Sequence, residues 1–196
     1  MKKKTLLITN LLIIIIIIFL ELKFNNKLTS YDLVVSNIIW GIRTPLLTSI
    51  MKIISFLAST KFIIVVLIIY IFIHRDVYFP LNMSISTIIN TVLKRIIKRS
   101  RPSNILVIEK SYSFPSGHSM ASMSFYGYII YKVIESKINK SYKIALTLFF
   151  SILILLVGFS RIYLGAHYLS DVICGYLISL EYLVIYITIL KNVTKK

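Results

Sequence analysis

The sequence predicts an all-α, polytopic membrane protein: six transmembrane helices with a candidate active site at one membrane face. Two facts of composition and one pattern carry that prediction. Hydrophobic residues make up 57% of the chain and the mean hydropathy is +0.84. Charged residues are only 15%, where a soluble domain of this size carries about a quarter. Long apolar runs alternate with short, Lys-rich links, the pattern of a chain that crosses a bilayer repeatedly. Lipid gives the backbone no hydrogen-bonding partner, and separate runs of this length suit helices better than a closed barrel. The 196 residues read as a single membrane-embedded domain over 1–196.

The first run, 5–22, follows Met1-Lys2-Lys3-Lys4 and resembles a signal peptide. No small-residue cleavage site accompanies Glu21-Leu22-Lys23-Phe24, so the reading is a retained span with its lysines in the cytoplasm. Segment 44–56 is apolar but begins at Pro45 and is interrupted by Lys52. It reads as an interfacial helix or as an extension of the second span, 57–74. The third span, 79–97, is followed by Pro102, which cannot continue a helix. The fourth, 117–134, opens after Pro115 and Gly117. The fifth and sixth cover 142–159 and 172–190. Trp40 and the scattered tyrosines read as interfacial anchors. Glu181, in mid-span, reads as paired or protonated inside the bundle. Cys174 is the sole cysteine, which excludes an intramolecular disulfide and suits a buried packing residue.

The net charge is +16. The cations flank apolar runs, where they can meet anionic headgroups or snorkel from helix ends. The partners so implied are membrane lipids, not nucleic acid. Nothing in the sequence signals an oligomeric state.

Three polar motifs stand out in order: Lys94-x6-Arg101-Pro102, then Pro115-Ser116-Gly117-His118, then Ser160-Arg161-x5-His167-x3-Asp171. They fall at the end of the third span, the start of the fourth, and the junction of the fifth and sixth. Successive spans alternate direction, so all three emerge on one membrane face. Lys and Arg divide almost evenly between the faces. The N-terminal lysines, with six spans, place the motifs outside the cytoplasm.

The residue types point to chemistry on an anion. His167 and Asp171, four apart, share a face if helical. The carboxylate can then fix the imidazole tautomer and leave the other ring nitrogen as a nucleophile. Arg161 can fork onto phosphate oxygens. The Ser116-Gly117 turn opens a helix whose free amides attract anions, and Gly117 permits close backbone approach. His118 beside them can donate a proton to a leaving oxygen. Lys94 and Arg101, seven apart, lie two helical turns along one face; Lys98 shares it, and Arg95 and Arg99 lie elsewhere. Each motif alone has a plainer reading: a histidine beside a cap with Arg161 on headgroups, an N-cap serine, and a basic helix end. That last reading fits Arg95, Lys98 and Arg99 best. No cluster of His, Cys and carboxylates suggests a metal.

Jointly, the motifs resemble the type-2 phosphatidic acid phosphatase superfamily, whose members include membrane lipid phosphatases, glucose-6-phosphatase, soluble acid phosphatases and vanadium haloperoxidases. They match over residues 94–171, and Tyr163 and Gly165 look like the family's third motif as well. The resemblance implies an integral-membrane, metal-independent lipid phosphatase without a cofactor. It implies that His167 attacks phosphorus, Asp171 supports it and His118 protonates the leaving alkoxide. Lys94, Arg101, Arg161, Ser116 and the Gly117 amide would hold the phosphate oxygens. A membrane-embedded site suits lipid phosphates; undecaprenyl diphosphate, phosphatidylglycerophosphate and phosphatidic acid all fit. The competing class is a non-catalytic transporter or structural protein that binds anionic lipid. A soluble haloperoxidase is disfavoured by the long spans.

Overall fold

The computed structural model describes residues 3–194, with side chains placed for all of these except 3–4 and 24–27. Among the described residues seven helices follow one another: α1 (Lys3–Gly41), α2 (Pro45–Phe56), α3 (Thr60–His74), α4 (Tyr78–Ile97), α5 (Gly117–Glu135), α6 (Lys140–Tyr163) and α7 (Leu169–Val193). The last four match the predicted spans within a few residues, because each is bounded by a strong signal. Asn139 accepts from Ser141 N to cap α6, Ser116 accepts from Ser119 N to cap α5, and Gly165 turns the chain after α6.

By length and composition, three helical stretches can cross a membrane: Thr5–Lys23, Lys140–Tyr163 and Leu169–Val193. A fourth crossing results if α2 and α3 form one broken span, since they are bent by 42° about the residues between them. Segment 44–56 is thus a helix of its own, N-capped by Thr44, with Ser59 recapping the chain for α3. The helices α4 and α5 carry polar side chains along their length, which sets them apart from the apolar stretches.

Helix α1 departs most from expectation. It spans 39 residues, about 58 Å at 1.5 Å per residue, whereas a hydrocarbon core is roughly 30 Å thick. The sequence holds no Gly or Pro before Gly41, so the helix does not end where hydrophobicity does. Its second half carries buried Asp32 and Ser36. It packs against α7, running antiparallel, with Asp32 at the start of α7 and Ile14 and Ile18 beside Ile178. Lys2 and the side chains of Lys3 and Lys4, which set the expected orientation, lie outside the described residues.

Helix α5 packs on α4, α6 and α7. Away from the motifs the core is aromatic: Phe79 stacks on Tyr128 at 4.7 Å and lies 5.0 Å from Phe125. The tyrosines there are not simple surface anchors. Tyr182 and Tyr186 donate to the Asn82 and Tyr78 carbonyls, crossing from α7 to α4. Trp40 also bonds inward, its Nε1 donating to the Ile162 carbonyl at 3.0 Å. Glu181 is half-buried, and no hydrogen bond or ion pair joins it to another described residue, so of the paired and protonated readings the first finds no partner among the described residues.

Candidate active site

The three motifs meet at one end of the bundle, around a cavity of about 160 Å³. Lys94, Arg101, Gly117, His118 and His167 line it, together with Asn90, Glu109 and Ser111. Ser116, Arg161 and Asp171 stand one layer behind, each almost fully buried.

Local structure differs from the helical geometry that residue spacing suggests. Helix α4 ends at Ile97, and Lys98 turns left-handed at φ 51°. Arg101 therefore lies in the connection beyond, not two turns along one helical face from Lys94. It still reaches the cavity, because its guanidinium is tied to the Ser111 carbonyl at 2.7 Å and the Ala166 carbonyl at 2.6 Å. Lys94 remains on the last turn of α4 and donates to the carbonyls of Tyr112 and Ser113.

His167 is likewise not helical. It sits in the turn between α6 and α7, one residue before the Tyr168 cap. Gly165 makes that turn at φ +69°, and a Cβ there would lie 2.0 Å from the Asn104 carbonyl oxygen. Asp171 belongs to the first turn of α7, where it accepts from Tyr168 N at 2.9 Å. His167 Nδ1 is 3.6 Å from Asp171 Oδ2 and 3.4 Å from Ser113 Oγ, which itself donates to Asp171. The opposite nitrogen, Nε2, lies 3.2 Å from Arg101 Nη1. Arginine only donates, so this contact calls for a bare Nε2 and puts the ring proton on Nδ1, facing the carboxylate. Burial pushes the His167 imidazole down to about 3, against the opposing pull of Asp171. The ring is neutral and its lone pair points to the cavity side.

The cations are arranged around one carboxylate. Glu109 pairs with Arg161 Nη2 through Oε1 and with Arg101 Nη2 through Oε2 at 3.4 Å. Arg161 is anchored from the other side by Ser55 Oγ at 2.5 Å. Lys94 and Arg101 at the wall, with Arg161 behind it, thus bring three positive charges to a cavity whose lining holds a single carboxylate, Glu109. Such a field favours a multiply charged anion. The Phe114–Pro115 peptide is cis. Ser116 Oγ accepts from Ser119 N and Oγ, which caps the helix and leaves its own proton to donate, and Gly117 and His118 present the α5 terminus to the cavity.

Sequence reasoning missed several residues here. Arg99, read as a headgroup contact, is 3% exposed. Its Nη1 lies 2.7 Å from Asp171 Oδ1 and its Nη2 lies 2.7 Å from Asp32 Oδ2. Arg95 and Lys98 are exposed, as that reading requires. Ser113, Glu109, Asp32 and Glu21 were not singled out at all. A signal for the acids existed: the chain has only seven Asp and Glu, and Glu21, Asp32, Glu109 and Asp171 all converge here.

A bundle of membrane-crossing helices with this polar end defines a class, and comparison names it. The chain belongs to the PAP2 superfamily, whose pattern matches residues 77–195. It is 33% identical over 164 residues to phosphatidylglycerophosphatase B of Bacillus subtilis (strain 168), covering 79% of this chain and 81% of that protein. Its fold is similar to the crystal structure of a transmembrane PAP2-type phosphatidylglycerolphosphate phosphatase from Bacillus subtilis. That match has a TM-score of 0.85 and 28% identity, over 95% of this chain and 96% of the other. Aquifex aeolicus LpxE is similar at a TM-score of 0.64 and 25% identity, over 79% and 93%.

Proposed function

We propose that this protein hydrolyses lipid phosphate or diphosphate esters at the outer face of the membrane, through a phosphohistidine and without a metal. One observation carries the reading: His167 offers a bare Nε2 beside Arg101, with Nδ1 backed by Asp171. In the first step Nε2 attacks the terminal phosphorus and its bond to the lipid-side oxygen breaks. His118 gives its proton to that oxygen, which departs as an alkoxide from a monoester and as the lipid phosphate from a diphosphate. Water then attacks the phosphohistidine, His118 takes its proton, and inorganic phosphate leaves with His167 restored. Lys94, Arg101, Arg161 and the amide at Gly117 hold the equatorial oxygens, with Ser116 fixing the turn. Phosphoryl transfer is mostly positioning and charge stabilisation, which fixed cations can supply.

A phosphate held at the end of the bundle lets an acyl or prenyl tail stay in lipid. The relative that is a phosphatidylglycerophosphatase B favours a glycerophospholipid phosphate, phosphatidylglycerophosphate first, with phosphatidic acid and undecaprenyl diphosphate as the other candidates. The reading treats residues 1–196 as one domain with α4 and α5 completing six crossings.

The test is phosphate release in detergent with a chelator present, comparing these three lipids. Wild type releases phosphate, and His167→Ala lowers the rate on the order of 10⁴-fold or more, as loss of a nucleophile does. Equal release by His167→Ala would sink the nucleophile and favour a protein that only binds anionic lipid.

A further inference from the structure

Behind the catalytic cavity lies a second charged cluster, in which Asp171 is the one residue that the three motifs name. Arg99 is at its centre. Its Nη1 reaches Asp171 Oδ1 at 2.7 Å, Ser170 Oγ at 2.6 Å and Glu21 Oε1 at 3.3 Å. Its Nη2 reaches Asp32 Oδ2 at 2.7 Å and Thr29 Oγ1 at 3.1 Å. The guanidinium also lies 4.6 Å over the Tyr168 ring. Asp32 in turn accepts from Ser170 N at 2.9 Å and from Ser170 Oγ, so α1 holds the first turn of α7. The Arg99 carbonyl accepts from Ser113 N at 2.8 Å. One residue thereby contacts both residues that face His167 Nδ1: its side chain holds the Asp171 carboxylate and its carbonyl holds the Ser113 backbone.

We propose that Arg99, anchored by Asp32 of α1, is a positioning residue that holds the Asp171 carboxylate in place behind the attacking histidine. The inference rests on the phosphohistidine reading above. Its physical basis is geometric. Asp171 Oδ2 already serves Tyr168 N and Ser113 Oγ, and Oδ1 has Arg99 as its charged partner. With that partner removed, three buried carboxylates (Glu21, Asp32 and Asp171) lose the one Lys or Arg that pairs with them among the described residues, and a buried charge stripped of its partner relaxes or neutralises. Either outcome weakens the support for a positive charge forming on His167 during attack. Lysine in place of Arg99 keeps the charge but cannot fork between Asp32 and Asp171, since an ammonium is one compact centre.

The experiment is a double-mutant cycle in detergent, with single-turnover phosphate release from the preferred lipid. Arg99→Gln and Arg99→Lys should each lower kcat about tenfold or more, the range that disturbing the outer support of a site produces, with KM changed less than about threefold. In an Asp171→Asn background, Arg99→Gln should cost less than about twofold, because its target is gone. A purely structural role would multiply through and cost the same in both backgrounds, which would overturn the proposal. So would unchanged kcat in both Arg99 variants. If Arg99→Gln fails to yield folded protein, Arg99→Lys and Asp32→Asn run the same cycle with charge retained at Arg99. Wild type inactive on every phosphate would instead overturn the functional reading, and this inference with it.

Discussion

The site has two charged layers, and they differ in the sign of their surplus. The cavity layer sets Lys94, Arg101 and Arg161 against Glu109, an excess of cations around open space. The layer behind it sets Glu21, Asp32 and Asp171 against Arg99, an excess of carboxylates in closed packing. The cavity layer is built to complete itself with an anion from outside. The rear layer is closed and directional, with Arg99 joining α1, through Glu21, Thr29 and Asp32, to the first turn of α7, through Ser170 and Asp171. His167 stands between them, Nε2 toward the cations and Nδ1 toward the carboxylates. Catalysis by a neutral imidazole needs that polarity: a lone pair on the substrate side and a developing positive charge stabilised on the other.

The largest way to break this arrangement short of removing a reacting group is to move the turn that carries His167. Gly165→Ala puts a Cβ 2.0 Å from the Asn104 carbonyl oxygen, at a φ of +69°. The left-handed conformation alone costs about 1–2 kcal/mol for a residue with a side chain, and the clash adds to it. Asn104 O and Oδ1 are also what Arg43 holds, so the turn cannot yield freely. We expect a lower thermal midpoint in detergent together with loss of most activity. An unchanged midpoint would show that the turn relaxes around the methyl group.

Acid should act on the boundary between the layers. An unfolded chain takes up a proton on His167 below the ordinary imidazole value of about 6.5. The folded protein refuses it until about 3, because burial disfavours the cation. Stability from this residue is therefore intact above about 6.5 and is lost progressively as pH falls through that window. The melting temperature of wild type should drop between pH 7 and 4, and His167→Gln should flatten part of that drop. Parallel slopes for the two proteins would mean that His167 titrates normally.

How much of this could be read beforehand differs by layer. The cavity layer was legible, since Lys94, Arg101, His118 and His167 line one cavity as their motifs suggest, though two of the helical placements were wrong. Residue spacing assumes the helix continues, and Lys98 and Gly165 end it. The rear layer was not legible. Apart from Asp171, its acids come from α1; Asp32 lies 67 and 138 residues from the Arg99 and Ser170 groups it holds, and no local pattern marks such a contact. Arg99 sits among Arg95, Lys98 and Arg101, so composition could not separate a buried clamp from headgroup contacts. Apolar runs mark where a helix is greasy and not where it stops, and for that reason α1 was given less than its full length.

The smallest effect concerns what occupies the cavity layer in the absence of phosphate. The Glu109 carboxylate sits between Arg101 and Arg161, where both guanidinium groups point. A phosphate oxygen held by the same two arginines must displace it. Glu109→Gln keeps the side-chain shape and removes the competing charge. Glu109 is 20% exposed, so the pair is partly screened and its loss is worth about 1 kcal/mol, at the upper end for accessible ion pairs. That corresponds to roughly fivefold tighter inhibition by inorganic phosphate or vanadate, with a similar fall in KM. Tighter inhibition would establish the cavity layer as a site already holding its own anion, exchanged on each turnover. Weaker inhibition would mean that Glu109 orders the two arginines for the substrate, which would make it kin to the fixed layer behind.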